Sequence, residues 1–156
     1  MRITEVGATK ADRAKSWLWR YRKAKQDYHR YKTEYEALCA VQESVSALQY
    51  TGMPGGSGKI TDLSTLMVVR EGLLGKLIAK QKEMSDACAE VIEMAERLDG
   101  AGRDVIILRY VRLPEGRGAY SFAEIGRMIG YSTSQIKRYH SKALQQIEKM
   151  IPDEPK

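Results

Sequence analysis

The chain has 156 residues, which suits one domain or two small ones, and its 43% hydrophobic content is enough to build a core. No apolar run approaches the ~20 residues needed to cross a bilayer, and "MRITEVGATK" lacks the apolar centre of a signal peptide, so a cytoplasmic protein with no membrane partner is expected. The net charge of +6 is uneven: residues 1–35 carry ten Lys/Arg against four Asp/Glu, residues 36–100 six against ten, and residues 101–151 nine against four, a distribution that favours an anionic partner.

In chain order, the first element is a long helix. A four-three spacing selects Trp17, Tyr21, Ala24, Tyr28, Tyr31, Tyr35, Leu38, Gln42 and Val45, eight of them apolar or aromatic. A heptad seam sustained over that length predicts a coiled-coil-like helix over about 12–49, capped near Asp12. Met67, Leu74, Leu77, Met84, Cys88, Val91, Ala95 and Leu98 carry the same spacing, interrupted by Arg70 and Gln81, with Leu66, Leu73, Ala87 and Met94 beside them. This predicts a second helix over about 62–98, ended by Gly100 and Gly102.

Between the two stands "TGMPGGSGKIT", residues 51–61, which has the glycine content and the lysine of a phosphate-binding loop. A phosphate loop needs glycine six residues before its lysine, but Met53 is there; it needs Ser or Thr after the lysine, but Ile60 follows. No strand leads into it either. The stretch is expected to be a joint that lets two helices of nearly equal length pair antiparallel, giving a hairpin over 1–100 for oligomerisation or partner binding. Such a fold at about Gly56 places Cys39 near Leu73 and far from Cys88, so both cysteines are expected as small core residues without a disulfide. Neither has a CxxC partner or a nearby histidine, and His29 and His140 are isolated, so no metal or other cofactor is expected.

Residues 101–151 read as three helices. The first, Arg103 to Leu113, is apolar on Val105, Leu108 and Val111, with Ile106, Ile107 and Tyr110 beside them. Pro114, Gly116 and Gly118 then break the chain. "SFAE" and "STSQ" each look like a capping box, starting helices after Ser121 and Ser132. The turn between them is short, and Gly130 suits the left-handed conformation it needs. Ile125, Ile129, Ile136 and Tyr139 are expected to face inward, Gly126 to allow a close helix crossing, and burial to continue through Ala143, Leu144, Ile147 and Met150. These positions have helix–turn–helix spacing. The opposite face of the last helix, over about 133–150, shows short hydroxyls and Lys/Arg, with no acid between Gly130 and Gln146. Side chains of that kind approach base edges and phosphates in the major groove. The expected DNA-binding residues are Ser132, Thr133, Ser134, Gln135, Lys137, Arg138, Ser141 and Lys142. Residues 152–156 are left as a tail. The expected fold class is all-α, a long antiparallel coiled-coil-like hairpin followed by a three-helix helix–turn–helix domain.

Residues 103–150, with "RDVIILRYV" ahead of "SFAEIGRMIGYSTSQIKRYHSKAL", resemble region 4 of sigma-70-type factors; Ala143–Leu144 followed by Ile147 looks like the end of that region. With its charged hairpin and "GMPGGSG" joint, the whole chain resembles small phage and prophage transcriptional regulators of the ArpU and RinA kind. The resemblance implies a DNA-binding activator of late phage genes in a bacterial host, with RNA polymerase as a further partner. The chain has no counterpart of region 2, the promoter-melting part of a sigma factor, and carries the insertion "LPEGRGAY" before the helix–turn–helix. Both departures favour a regulator that borrows the region-4 fold over a free-standing sigma factor. The expected partners are double-stranded DNA and a second copy of the chain, as a dimer. The runner-up is the small terminase, the DNA-recognition subunit of a phage packaging machine, which also joins a helix–turn–helix to coiled-coil oligomerisation, usually as a ring. An enzyme is not expected, because no nucleophile stands with a base and no carboxylates pair.

Overall fold

The structure is a computed structural model describing residues 10–50 and 62–152. The expected joint, with Lys59, and most of the tail lie outside the described residues. Among the described residues all regular structure is helical: α1 (Lys10–Leu18), α2 (Arg20–Tyr50), α3 (Asp62–Glu96), α4 (Gly100–Ile106) continuing into a π-helical turn (Ile107–Val111), α5 (Phe122–Ile129) and α6 (Thr133–Met150). The chain is all-α, a long helical hairpin followed by a helix–turn–helix region. No described helix is long and apolar enough to cross a membrane.

The expected first helix is interrupted once, at Trp19. Helical hydrogen bonding carries across the break, from Trp19 N–H to the Lys15 carbonyl (2.9 Å) and from Lys23 N–H to the Trp19 carbonyl (3.0 Å). Arg20 Nε donates to the Trp17 carbonyl at the junction (3.1 Å). Beyond the end of α3, Gly100 opens α4 with φ +50°, a conformation that favours glycine. Gly102, expected to help end the helix, lies inside α4, where a Cβ would sit 3.7 Å from that of Ala143.

Contacts divide the chain into two compact units, Ala24–Met84 and a second made of Met1–Lys23 with Ser85–Lys156. In the first unit, α2 and α3 run antiparallel, as Lys80 facing Asp27 (3.9 Å) and Arg70 donating to Gln42 Oε1 (2.8 Å) require. Every seam position expected on this part of α2 is at least half-buried: Ala24, Tyr28, Tyr31, Tyr35, Leu38, Gln42 and Val45. On α3 the seam is shifted. Leu63, Leu66, Arg70, Leu73, Leu77, Lys80 and Met84 are half-buried in an unbroken three-four spacing, whereas Met67 and Gln81 are exposed. Lysine is suited to such a position because its aliphatic stem lies along the seam while its amine reaches a carboxylate at the edge. Gln42 and Arg70, each the polar interruption of its own helix, satisfy one another. Cys39 is half-buried and free.

The second unit holds the main core. Ala14 and Leu18 of α1 pack with Val91, Met94, Ala95 and Leu98 of α3, Ile106 and Tyr110, and Ala143, Leu144 and Ile147 of α6. Trp17, Trp19 and Tyr21 close over this cluster. The helix–turn–helix core therefore includes residues up to Lys23, where the sequence suggested a body of residues 101–151 alone. Ala14 continues the Trp17–Tyr21–Ala24 spacing back by one step, and Leu18, four residues after Ala14, widens the stripe on one side. Arg13 pairs with Glu148 (3.1 Å), which sets α1 alongside α6. A smaller cluster of Val105, Leu108, Ile125 and Ile136 joins α4 to α5 and α6.

Candidate nucleic-acid interface

The helix–turn–helix is built from local devices. Ser121 Oγ accepts the Glu124 N–H (3.2 Å) and starts α5. Ser121 supplies the side-chain half of the expected capping box, and the Glu124 carboxylate forms a two-pronged pair with Arg117 (2.9 and 3.2 Å). That pair, more than any other contact, holds the Glu124 carboxyl below its usual pKa. Ser132 forms the complete box: its Oγ accepts the Gln135 N–H (3.2 Å), and Gln135 Oε1 accepts the Ser132 N–H (3.0 Å).

Between the helices, Gly130 takes φ +81° and ψ +31°, the left-handed conformation the turn demands. The Gly126 carbonyl accepts both the Gly130 N–H (2.8 Å) and the Tyr131 N–H (2.9 Å). Gly126 is required by the turn more than by a helix crossing: a Cβ there would fall 2.4 Å from the Tyr131 carbonyl oxygen, and 3.5 Å from the Ile136 side chain. Tyr131 of the turn meets Tyr139 edge-on, ring centroids 5.2 Å apart.

Ile125 and Ile136 are fully buried and Ile129 and Tyr139 half-buried, as their spacing predicted. The buried stripe of α6 is Ile136, His140, Ala143 and Ile147, a four-three-four spacing in which His140 takes a core position. The sequence reading treated this histidine as isolated, although the stripe itself places it inside. His140 Nε2 shares a hydrogen bond with the Tyr110 hydroxyl (2.7 Å), and the Phe122 ring lies 4.9 Å from the imidazole. Burial, with help from the charges of Arg109 and Lys15, lowers the His140 pKa to about 4, so the ring is neutral at physiological pH. Burial raises the Tyr110 pKa to about 12, against the opposing effect of Arg109.

Tyr110 reaches this position from the π-helical turn. Arg112 N–H bonds to the carbonyl five residues back, at Ile107 (2.9 Å). With this wider turn Tyr110 is 1% exposed and Val111 only half-buried, whereas plain α spacing predicted Val111 as core. Such turns recur at functional sites. Here the turn brings the Tyr110 hydroxyl to its buried hydrogen bond with His140 of α6.

The buried stripe leaves the other side of α6 in water. Thr133, Ser134, Lys137, Arg138, Ser141 and Lys142 are all exposed. Ser132 and Gln135 are exposed too, but bonded to each other in the capping box, so the serine hydroxyl is committed and the glutamine keeps only its amide donors free. Among the described residues, Lys137, Arg138 and Lys142 form no ion pair. The face therefore presents hydroxyls near the helix N-terminus and unneutralised positive charge along one side. Arg127 and Met128 of α5 and Tyr131 of the turn are exposed beside it, a contribution the sequence reading did not include.

Residues 95–149, roughly a third of the chain, match the family model described as Sigma-70, region 4. No curated protein and no solved structure gives a match. The match covers α4, α5, nearly all of α6 and the end of α3's buried run, and agrees with the geometry of the turn. The C-terminal region of this protein is a sigma-70 region 4-like, DNA-binding helix–turn–helix.

Proposed function

We propose that the protein is a sequence-specific regulator of transcription that binds double-stranded DNA and reads the major groove with α6. One observation carries this reading: the exposed face of α6 holds Thr133, Ser134, Lys137, Arg138, Ser141 and Lys142 with no acid among them. A helix held at its N-cap by a complete capping box and backed by a buried core is a rigid element, and rigid elements read bases with the least loss of ordering entropy. The protein acts by binding, not catalysis, and needs no cofactor.

The hairpin supports self-association. Val41 (50% exposed), Leu48 (60%), Val68 (69%) and Val69 (52%) leave apolar surface on α2 and α3 that the two-helix seam does not cover. A dimer so formed would suit a regulator of phage or prophage late genes of the ArpU and RinA kind, with RNA polymerase as a further partner. The same surface in a ring of about eight to twelve copies would suit a small terminase, and oligomer size separates the two. The direct test is to recover bound duplexes from a random or genomic pool. A palindromic consensus with half-sites about ten base pairs apart supports a symmetric dimeric regulator; recovery of no consensus would count against sequence-specific reading.

A further inference from the structure

The second unit carries cations that find a carboxylate and cations that do not. Arg20 and Arg117 each pair with a carboxylate, Glu90 and Glu124, and Arg103 with two, Glu96 and Asp104. Lys15, Arg22 and Arg109 find none among the described residues. Trp19 holds two of them on its indole, the guanidinium carbons of Arg22 and Arg109 lying 5.1 and 5.8 Å from the ring. Arg109 also lies 4.6 Å over the Phe122 ring and donates to the Tyr120 carbonyl. Two like charges on one ring repel, and an anion placed against them removes that cost.

Gly118 abuts Arg22 so closely that a Cβ would fall 2.2 Å from Nη2, so glycine is what lets the guanidinium lie there. Lys15 is exposed one turn before Trp19. Because α1 lies against α6 with Arg13 at Glu148, it brings Lys15 back toward His140, and the lysine's charge reaches that ring. On α6 the neighbours of His140 toward water are Lys137 and Ser141.

We infer that Lys15 and Arg22, both outside the segment that resembles region 4, form a phosphate clamp on the DNA backbone beside the groove that α6 enters. The root of the hairpin is then part of the DNA-binding surface, with Trp19 as the platform that sets the Arg22 guanidinium in place. The inference rests on the reading of α6 as the DNA-contacting helix.

The experiment measures binding of the full chain and of Lys15→Gln, Arg22→Gln and the pair, on a selected duplex and a scrambled one, across a salt series. Each lost phosphate contact should lower the slope of log K against log salt by about 0.9, and the pair by about 1.8. Affinity should fall on both duplexes alike, roughly tenfold per residue at 0.1 M salt. Lys15 is exposed, so Lys15→Gln should melt as the parent does; if Arg22→Gln lowers the melting temperature, the lysine variant decides alone. An unchanged salt slope in the folded variants, with the parent still binding, overturns the clamp and leaves the α6 reading standing. A parent that binds neither duplex overturns both.

Discussion

His140 shows how one side chain can link the recognition helix to the rest of the core. Its ring is buried, bonded to Tyr110 and neutral, with a pKa lowered from 6.5 to about 4. The unfolded chain takes up the proton first as pH falls, so the stabilisation is complete above pH 6.5 and is lost progressively down to about pH 4. The loss should amount to about 3 kcal/mol, measured by urea unfolding across that range. Glu96 and Glu124, whose pKa values are lowered below 4.5 by Arg103 and Arg117, lose their contribution only below that value. The window from pH 6.5 to 4.5 therefore isolates His140, and His140→Gln should flatten it; an unaltered slope in that variant would show that the histidine is not the titrating group. Gly126 gives a second test at this scale. A methyl 2.4 Å from the Tyr131 carbonyl oxygen forces the turn to shift, so Gly126→Ala should destabilise by about 1–3 kcal/mol in thermal melts. A neutral result would mean that the turn accommodates a Cβ and is not the tight one described.

At the scale of elements, the hairpin seam makes its own prediction. Leu77 lies on the seam of α3, half-buried between Leu73 and Lys80. Leu77→Asp places a carboxylate there and should lower helix content and melting temperature, a loss of about 2–4 kcal/mol. The exposed neighbour Ile78→Asp should not, and equal effects of the two would refute the register. That register also marks where the sequence was legible. The heptad of α2 is readable because tyrosine recurs on one side of it, and each seam position is at least half-buried in the structure. The seam of α3 lies one position from the expected one at Met67, because methionine looks like core and Lys80 does not. Chain chemistry alone does not reveal that a lysine stem will lie along a seam when Asp27 waits at its edge. The capping residues Ser121 and Ser132 were legible for the opposite reason: capping is local, and the residues that satisfy the first-turn donors sit within three positions of them. What stayed hidden was non-local: the π-helical turn, the Tyr110–His140 bond, and the packing of Ala14 and Leu18 against α6, 130 residues away in sequence.

At the scale of the molecule, the unit around the helix–turn–helix contains the residues leading into α2, so Ala14 and Leu18 share a core with Ala143, Leu144 and Ile147 of α6. Self-association through the exposed valines and Leu48 should appear as concentration-dependent sedimentation of the full chain. Val41→Asp with Val69→Asp should shift it toward the monomer while leaving the helix content intact. A protein that sediments as a monomer at all concentrations would remove the hairpin from that role.

In the proposed function α6 contacts DNA with Lys137 and Arg138 while Ile136, beside them in sequence, serves only the core. This division of roles is tested most directly by measuring affinity and melting temperature together for three variants on the selected duplex. Arg138→Ala and Lys137→Ala should melt as the parent does and bind more weakly, by about 1–3 kcal/mol where the contact is to a base. Ile136→Ala should instead lose about 2–5 kcal/mol of stability. Unimpaired binding by the Lys137→Ala, Arg138→Ala double variant at physiological salt would contradict the account, because α6 would then not be the reading helix.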